Sequence, residues 1–140
     1  MHNSAQALQL SCKRGRYEMA KKILIVDDNE LIVEVMSYIL KNCGYDVYSL
    51  NGGEHVIEEV KIKHPDLLIM DACMPGMNGK EICKVLKMNK ETSRVPVIIC
   101  SGEDDLEEAL TQNGAPDDVL QKPFDMTSLI NKVKIQIAAA

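Results

Sequence analysis

Two adjacent carboxylates, Asp27 and Asp28, end the apolar run KKILIV, and a third, Asp71, ends DLLIM. Ser101 ends VPVIIC, and Lys122, followed by Pro123, ends the run around Val119 and Leu120. Three carboxylates brought to one place imply a hard cation held through oxygen. A lysine and a hydroxyl set against them imply an anion, and phosphoryl is the obvious one. Magnesium suits the first requirement, because it takes oxygen ligands in octahedral geometry and keeps several waters. Asp71 suits a further role: a carboxylate oxygen can attack phosphorus in line and carry the group as an acyl phosphate. Such a transfer needs charge neutralisation and positioning more than covalent help. The cation would supply one positive centre and Lys122, a compact point charge, the other. Each residue also has a plainer use. Asp27 and Asp28 could open a helix. Asp71 could precede a turn at Met74, Pro75 and Gly76, Lys122 with Pro123 could be a surface turn, and Ser101 could cap a helix starting near Glu103.

For these side chains to meet, their strands must lie side by side and end on the same edge. In an open α/β sheet, ligands bind in the crevice beyond the carboxyl ends of the parallel strands. The chain has the elements for this. Ile23–Val26 is a continuous apolar run, as a central strand buried on both faces requires. Leu31, Ile32, Val35, Met36, Ile39 and Leu40 recur at helical spacing, and Gly44 is placed to end that helix. Tyr45–Ser49 reads as a more polar edge strand, and a second helix around Val56, Ile57 and Val60 stops before Pro65. Strands over Leu67–Met70, Val97–Cys100 and Val119–Gln121 follow, interleaved with helices marked by Ile82, Val85 and Leu86 and by Leu106, Ala109 and Leu110. Leu129, Ile130, Val133 and Ile137 mark the last helix. Five such units with short loops predict a doubly wound sheet with right-handed crossovers.

KKILIVDDNE, PDLLIMDACMPGMNG, VPVIICSG and LQKPF, in that order, resemble the receiver domain of two-component response regulators, in a single-domain, chemotaxis-regulator-like form. The resemblance runs from about Ala20 to the C-terminus. It implies a flavodoxin-like (βα)5 fold with a five-stranded parallel sheet in the order 2-1-3-4-5. It implies a switch rather than a metabolic enzyme: Asp71 accepts phosphoryl from a sensor histidine kinase or a histidine phosphotransfer protein, with Mg2+, and a downstream target protein reads the result. The only catalysis expected is self-phosphorylation and autodephosphorylation. The implied metal ligands are Asp27, Asp28, Asp71 and the backbone carbonyl of Cys73, with Asp28 more direct and Asp27 partly through water. Ser101 and the backbone N–H groups of Ala72 and Gly102 would bind the phosphoryl oxygens. The Lys122–Pro123 bond is expected to be cis, aiming the lysine inward. Val119 and Pro123 would belong to the switch and partner face. A relay intermediate passing phosphoryl onward, or a receiver-like binding module that is not phosphorylated, are the alternatives.

Some positions depart from the family pattern. Val119 stands where Tyr or Phe is usual, so a switch that flips an aromatic ring is not expected. The stretch NGAPDDVLQKP is one residue longer than the common form between Gly114 and Lys122. The segment from Ser101 to Gly114 is correspondingly short, which predicts a short or irregular fourth helix. Cys73 and Glu103 flank the phosphoryl site and are expected to tune the lifetime of phospho-Asp71. The chain closes at IQIAAA after the fifth helix, so output is expected through the domain's own surface unless the chain is part of a longer regulator.

Composition narrows the partners. The net charge is −5. Residues 1–18 carry +2, leaving −7 on the rest, so nucleic acid is not expected as the main partner, since backbone affinity comes from Lys and Arg. No apolar run reaches the roughly 18 residues of a membrane span, and a cytoplasmic location is expected. The five cysteines, Cys12, Cys43, Cys73, Cys83 and Cys100, form no CxxC, which points to reduced thiols rather than zinc or a disulfide framework. The expected organisation is a flexible extension over residues 1–18 and a receiver domain over 19–140, as a monomer or a weak phosphorylation-linked dimer.

Overall fold

The computed structural model describes residues 19–102 and 106–139. The expected extension over residues 1–18 and the flanking residue Glu103 lie outside them. Five strands, β1 (Lys22–Val26), β2 (Asp46–Leu50), β3 (Leu67–Asp71), β4 (Val97–Ser101) and β5 (Asp118–Gln121), form one sheet. All neighbours are parallel, as the doubly wound reading requires, and the order is β2-β1-β3-β4-β5, the one the family resemblance implies. Helices α1 (Glu30–Asn42), α2 (Val56–Lys63), α3 (Gly79–Met88) and α4 (Met126–Ala139) connect or follow the strands. A two-residue ribbon pairs Cys73 with Asn78 and Met74 with Met77, between β3 and α3.

Side chains alternate across the pleat, so each strand feeds two cores. Leu24, Val26, Leu68, Met70, Val97 and Ile99 pack with α2 and α3 through Val56, Val60, Ile82 and Leu86. Ile23, Ile25, Leu67, Ile69, Ile98 and Leu120 pack on the other face with α1 and α4 through Met36, Leu40, Leu129 and Val133. Both cores are aliphatic, as the scarcity of aromatics requires. β2 is one of the two edge strands, and most of its residues reach solvent.

Local signals explain the boundaries. The Asn29 side chain accepts from the N–H groups of Leu31 and Ile32 and starts α1, satisfying two donors that the helix leaves orphaned. Asn78 does the same for Lys80 at the start of α3. Gly44, at φ +95°, turns the chain out of α1 where a side chain would be strained.

The short or irregular fourth helix expected from the sequence is a single 3-10 segment, Leu106–Thr111. The short stretch between Ser101 and Gly114 allows little more than this tighter turn. The apolar spacing in α1, by contrast, overstated burial. Met36 and Leu40 are buried, but Leu31 is 68% exposed and Val35 47% exposed.

Candidate functional site

The carboxyl ends of β1, β3, β4 and β5 bring the predicted residues together. Asp71 and Ser101 are the final residues of their strands, Asp27 and Asp28 directly follow β1, and Lys122 directly follows β5. Carboxylate oxygens of Asp27, Asp28 and Asp71 all lie within 4.8 Å of one another. Asp27 and Asp71 are buried and Asp28 is exposed.

Lys122 reaches into this acidic group. Its Nζ donates to Asp27 Oδ2 at 2.8 Å and to Asp71 Oδ1 at 3.2 Å. The other oxygen of Asp27 accepts the Asn29 N–H at 2.9 Å, which fixes the carboxylate's orientation. Both oxygens of Asp27 are thus engaged, whereas Asp28 stands in solvent. The Lys122 N–H donates to the Ser101 carbonyl at 2.8 Å, tying the ends of β4 and β5 together. Ser101 is itself buried, and the Lys122–Pro123 peptide is cis.

The charges are not balanced. Burial lifts the Asp71 carboxyl above its ordinary 3.8; Lys122 pulls it down, and the negative charges of Asp27 and Asp28 push it up again. Lys122 gives its shorter contact to Asp27, so it neutralises Asp71 incompletely. For Lys122, burial works against the charge, but its bond to Asp27 and the charges of Asp27 and Asp71 outweigh it and raise its pKa. The site therefore carries excess negative charge at neutral pH, and a second cation would relieve it.

The donor set suits magnesium in kind, being all oxygen. Two ligands on an ion with bonds near 2.1 Å lie at most about 4.2 Å apart. The carboxylates would close by about half an ångström around it, or reach it through its waters.

One predicted ligand is placed otherwise. The Ala72 N–H donates to the Cys100 carbonyl at 2.8 Å, continuing the ladder between β3 and β4. It is engaged in the sheet and not directed at an incoming phosphoryl group. Cys73 opens the short ribbon and is exposed, Gly102 directly follows β4, and Val119 is half-buried against the α2–α3 core.

Sequence reasoning gave no role to Gly79. Its N–H donates to the Ala72 carbonyl at 2.8 Å, and a Cβ there would lie 2.2 Å from the Asp71 carbonyl oxygen. Only glycine lets the start of α3 seat this close behind the end of β3. The Asn-Gly pair at the helix start was the available signal. A second missed feature is an apolar rim beside Lys122, formed by Leu31, Ile32, Val35, Pro123 and Phe124 around a groove of ≈430 Å³.

An acidic pocket with one lysine, at the carboxyl edge of a sheet ordered 2-1-3-4-5, defines a receiver-type fold and site. Residues 23–134 match the response regulator receiver domain family, and the chain belongs to that family. It is 34% identical over 117 residues to the alkaline phosphatase synthesis transcriptional regulatory protein PhoP of Bacillus subtilis, which covers 83% of this chain and 48% of PhoP. The chain therefore spans about half the length of that relative. The fold is similar to that of the chemotaxis response regulator CheY4 of Vibrio cholerae, with a TM-score of 0.75 and 26% identity over 84% of this chain and 99% of that one. It is also similar to the signal receiver domain of a signal transduction histidine kinase from Syntrophus aciditrophicus. There the TM-score is 0.78 and the identity 29%, covering 86% of this chain and 92% of the other. Among the described residues, no helix is long and apolar enough to cross a membrane.

Proposed function

We propose that this receiver domain accepts a phosphoryl group on Asp71 and signals through its own surface. One observation carries the reading: a buried Asp71 carboxylate lies beside two further acids and within bonding distance of the Lys122 ammonium. A carboxylate oxygen of Asp71 attacks phosphorus, the bond from phosphorus to the donor's leaving atom breaks, and an acyl phosphate forms. Lys122 is already within bonding distance of Asp71 and exchanges that contact for a phosphoryl oxygen. The Ser101 hydroxyl and the Gly102 N–H supply further donors; Ala72, with its N–H in the sheet, does not. Asp27, Asp28, Asp71 and the Cys73 carbonyl would hold Mg2+. Bound there, the ion neutralises the phosphoryl oxygens and the excess carboxylate charge.

The donor is a histidine-bearing protein, either a sensor kinase or a phosphotransfer protein. The apolar rim of Leu31, Val35, Pro123 and Phe124 supports a macromolecular donor, because a small phosphodonor has no need of it. Relatives carry this domain in a transcriptional regulator, a chemotaxis regulator and a histidine kinase, so the shared step is the phosphoryl acceptance and not any one output. The output surface is the face formed by the 3-10 segment, β5 and α4, with Val119 and Pro123 on it. Residues 19–140 form the receiver unit, acting in the cytoplasm as a monomer or a weak phosphorylation-linked dimer.

Intact mass after exposure to acetyl phosphate tests the reading. One hydroxylamine-labile phosphoryl group should appear, only with magnesium, and Asp71→Asn should lose it. Equal labelling of that variant would move the site elsewhere.

A further inference from the structure

Two adjacent acids, Asp117 and Asp118, lead into β5, and the alternation of extended backbone sends them to opposite faces of the sheet. Asp117, just before the strand, turns to the α3 side. Its Oδ2 accepts Lys87 Nζ at 2.7 Å and the Val97 N–H at 2.8 Å. Lys87 also donates to the Val95 carbonyl at 2.8 Å, and the Asp117 N–H donates to the Val97 carbonyl at 2.8 Å. Asp118 turns to the α4 side, where Lys132 Nζ lies 3.2 Å from each of its oxygens. Both helices are thus pinned to the same end of one strand.

The residues just upstream are pinned as well. The Gln112 side-chain amide donates to the carbonyls of Lys80 in α3 and of Gly114, each at 3.1 Å. The Cys83 thiol of α3 donates to the same Gly114 carbonyl at 3.5 Å. Gly114, at φ +71°, packs its backbone on α3 so closely that a Cβ would stand 2.8 Å from Lys84 Cα.

The 3-10 segment before this anchor is held differently. Only Leu106 and Ala109 are buried, and Leu110 is 42% exposed. Its single side-chain hydrogen bond among the described residues is internal, from Thr111 Oγ1 to the Glu108 carbonyl. The 3-10 geometry is itself a poorer hydrogen-bonding arrangement than the α-helix.

We propose that Gln112–Asp118 is a fixed anchor, clamped to α3 and α4, which confines phosphoryl-driven displacement to the 3-10 segment Leu106–Thr111 and the Lys122 end of β5. This rests on the phosphoacceptor reading and adds where the motion stops. Lys122 and Ser101, the two side chains that would hold the phosphoryl group, sit at the opposite end of β5 from the clamp. Force applied there meets an immovable strand base and is taken up by the weakly tied turn. Lys87 and Gln112 are positioning residues in this scheme and touch no phosphoryl atom.

Amide hydrogen exchange of the full chain, with and without beryllofluoride and magnesium, tests this. In the wild type, exchange over Leu106–Thr111 should change about tenfold, while Asp117 and Asp118 change by less than about twofold. Lys87→Met should make Asp117 and Asp118 respond by about fivefold or more. The milder Gln112→Ala should extend the response to Asn113–Ala115. Equal responses in both wild-type segments, or variants that keep the wild-type pattern, overturn the anchor. No response anywhere, with no mass gain from acetyl phosphate, overturns the phosphoacceptor reading and the anchor with it.

Discussion

Gly79→Ala should cripple this protein more than any other single methyl group added near the site. The new Cβ would lie 2.2 Å from the Asp71 carbonyl oxygen and 3.0 Å from Ala72 Cα. Ordinary contact needs roughly 1 Å more. Neither neighbour is the tip of a flexible side chain; both belong to the backbone at the end of β3. Relief requires α3 to lift away, which breaks the 2.8 Å bond from the Gly79 N–H to the Ala72 carbonyl. Overpacking costs about 1–3 kcal/mol, and the lost hydrogen bond adds about 1 kcal/mol. Alanine's better helix propensity returns at most about 1 kcal/mol. The net loss is about 1–3 kcal/mol, a fall in Tm of roughly 3–15 °C for a chain of this size. Gly76→Ala is the matched control. At φ +71° it also demands glycine, but a Cβ there meets nothing within 4 Å, so only backbone strain of about 1–2 kcal/mol remains. Thermal melts followed by circular dichroism give the stability. Labelling with acetyl phosphate gives the second readout, where a displaced Asp71 should slow Gly79→Ala by at least about tenfold. A Gly79→Ala melt within about 2 °C of wild type would show that the close approach behind Asp71 is relieved at little cost, and would refute the argument.

Asp71→Asn should raise the Tm of the metal-free protein at pH 7. The carboxyl's pKa is raised on folding, so its stabilising contribution is full below the ordinary 3.8 and is lost as pH rises through the folded value. At pH 7 the ionised group is a net cost that the amide lacks, and a lower Tm for the variant would contradict the excess negative charge. Magnesium should raise the wild-type Tm, and Asp28→Ala should remove most of that rise; an unchanged rise takes Asp28 out of the metal site. Lys122, whose pKa is also raised, should support the fold fully below its ordinary 10.5 and withdraw that support as pH climbs through the higher folded value. The alkaline melting curve of Lys122→Met should therefore be flatter than that of wild type. Val119→Tyr should alter affinity for a protein partner more than the rate of phosphorylation, because that residue packs against the α2–α3 core and not against Asp71; a reversed ranking would place it in the chemistry.

The placement of the candidate site was legible because it needs only strand ends. A parallel sheet buried on both faces writes each inner strand as an apolar run, and the first polar residue after the run marks the crevice edge. Asp27, Asp71 and Ser101 could be found this way without knowing which strands are neighbours, and Lys122 lies one residue further on, after Gln121. What stayed illegible depends on contacts between segments. The Asn78-Gly79 pair marks a helix start, but the seating of Gly79 against Asp71 is a tertiary distance that this local signal does not specify. The fate of the Ala72 N–H is decided by the register of β3 against β4, which pairs Asp71 with Cys100 and so commits the next amide to the ladder.

The exposed rim shows a different limit. Helix α1 carries apolar residues at 31, 32, 33, 35, 36, 39 and 40, an arc wider than one packed neighbour can cover. Helical spacing alone reads this as a generous core face. Yet Met36 and Leu40 already form a stripe four residues apart, and Leu31 and Val35 form a second stripe at the same spacing, one position back. Two parallel stripes on one helix mean two partners. The sheet takes the first, and the second faces out beside Lys122 with Pro123 and Phe124. Replacing Leu31 and Val35 by alanine removes exposed surface, so it should leave stability within about 0.5 kcal/mol. If the rim serves the phosphodonor protein, the same change should slow transfer from that protein while labelling by acetyl phosphate continues at the wild-type rate. Equal slowing of both routes would mean that the stripe shapes the pocket itself rather than seating a partner.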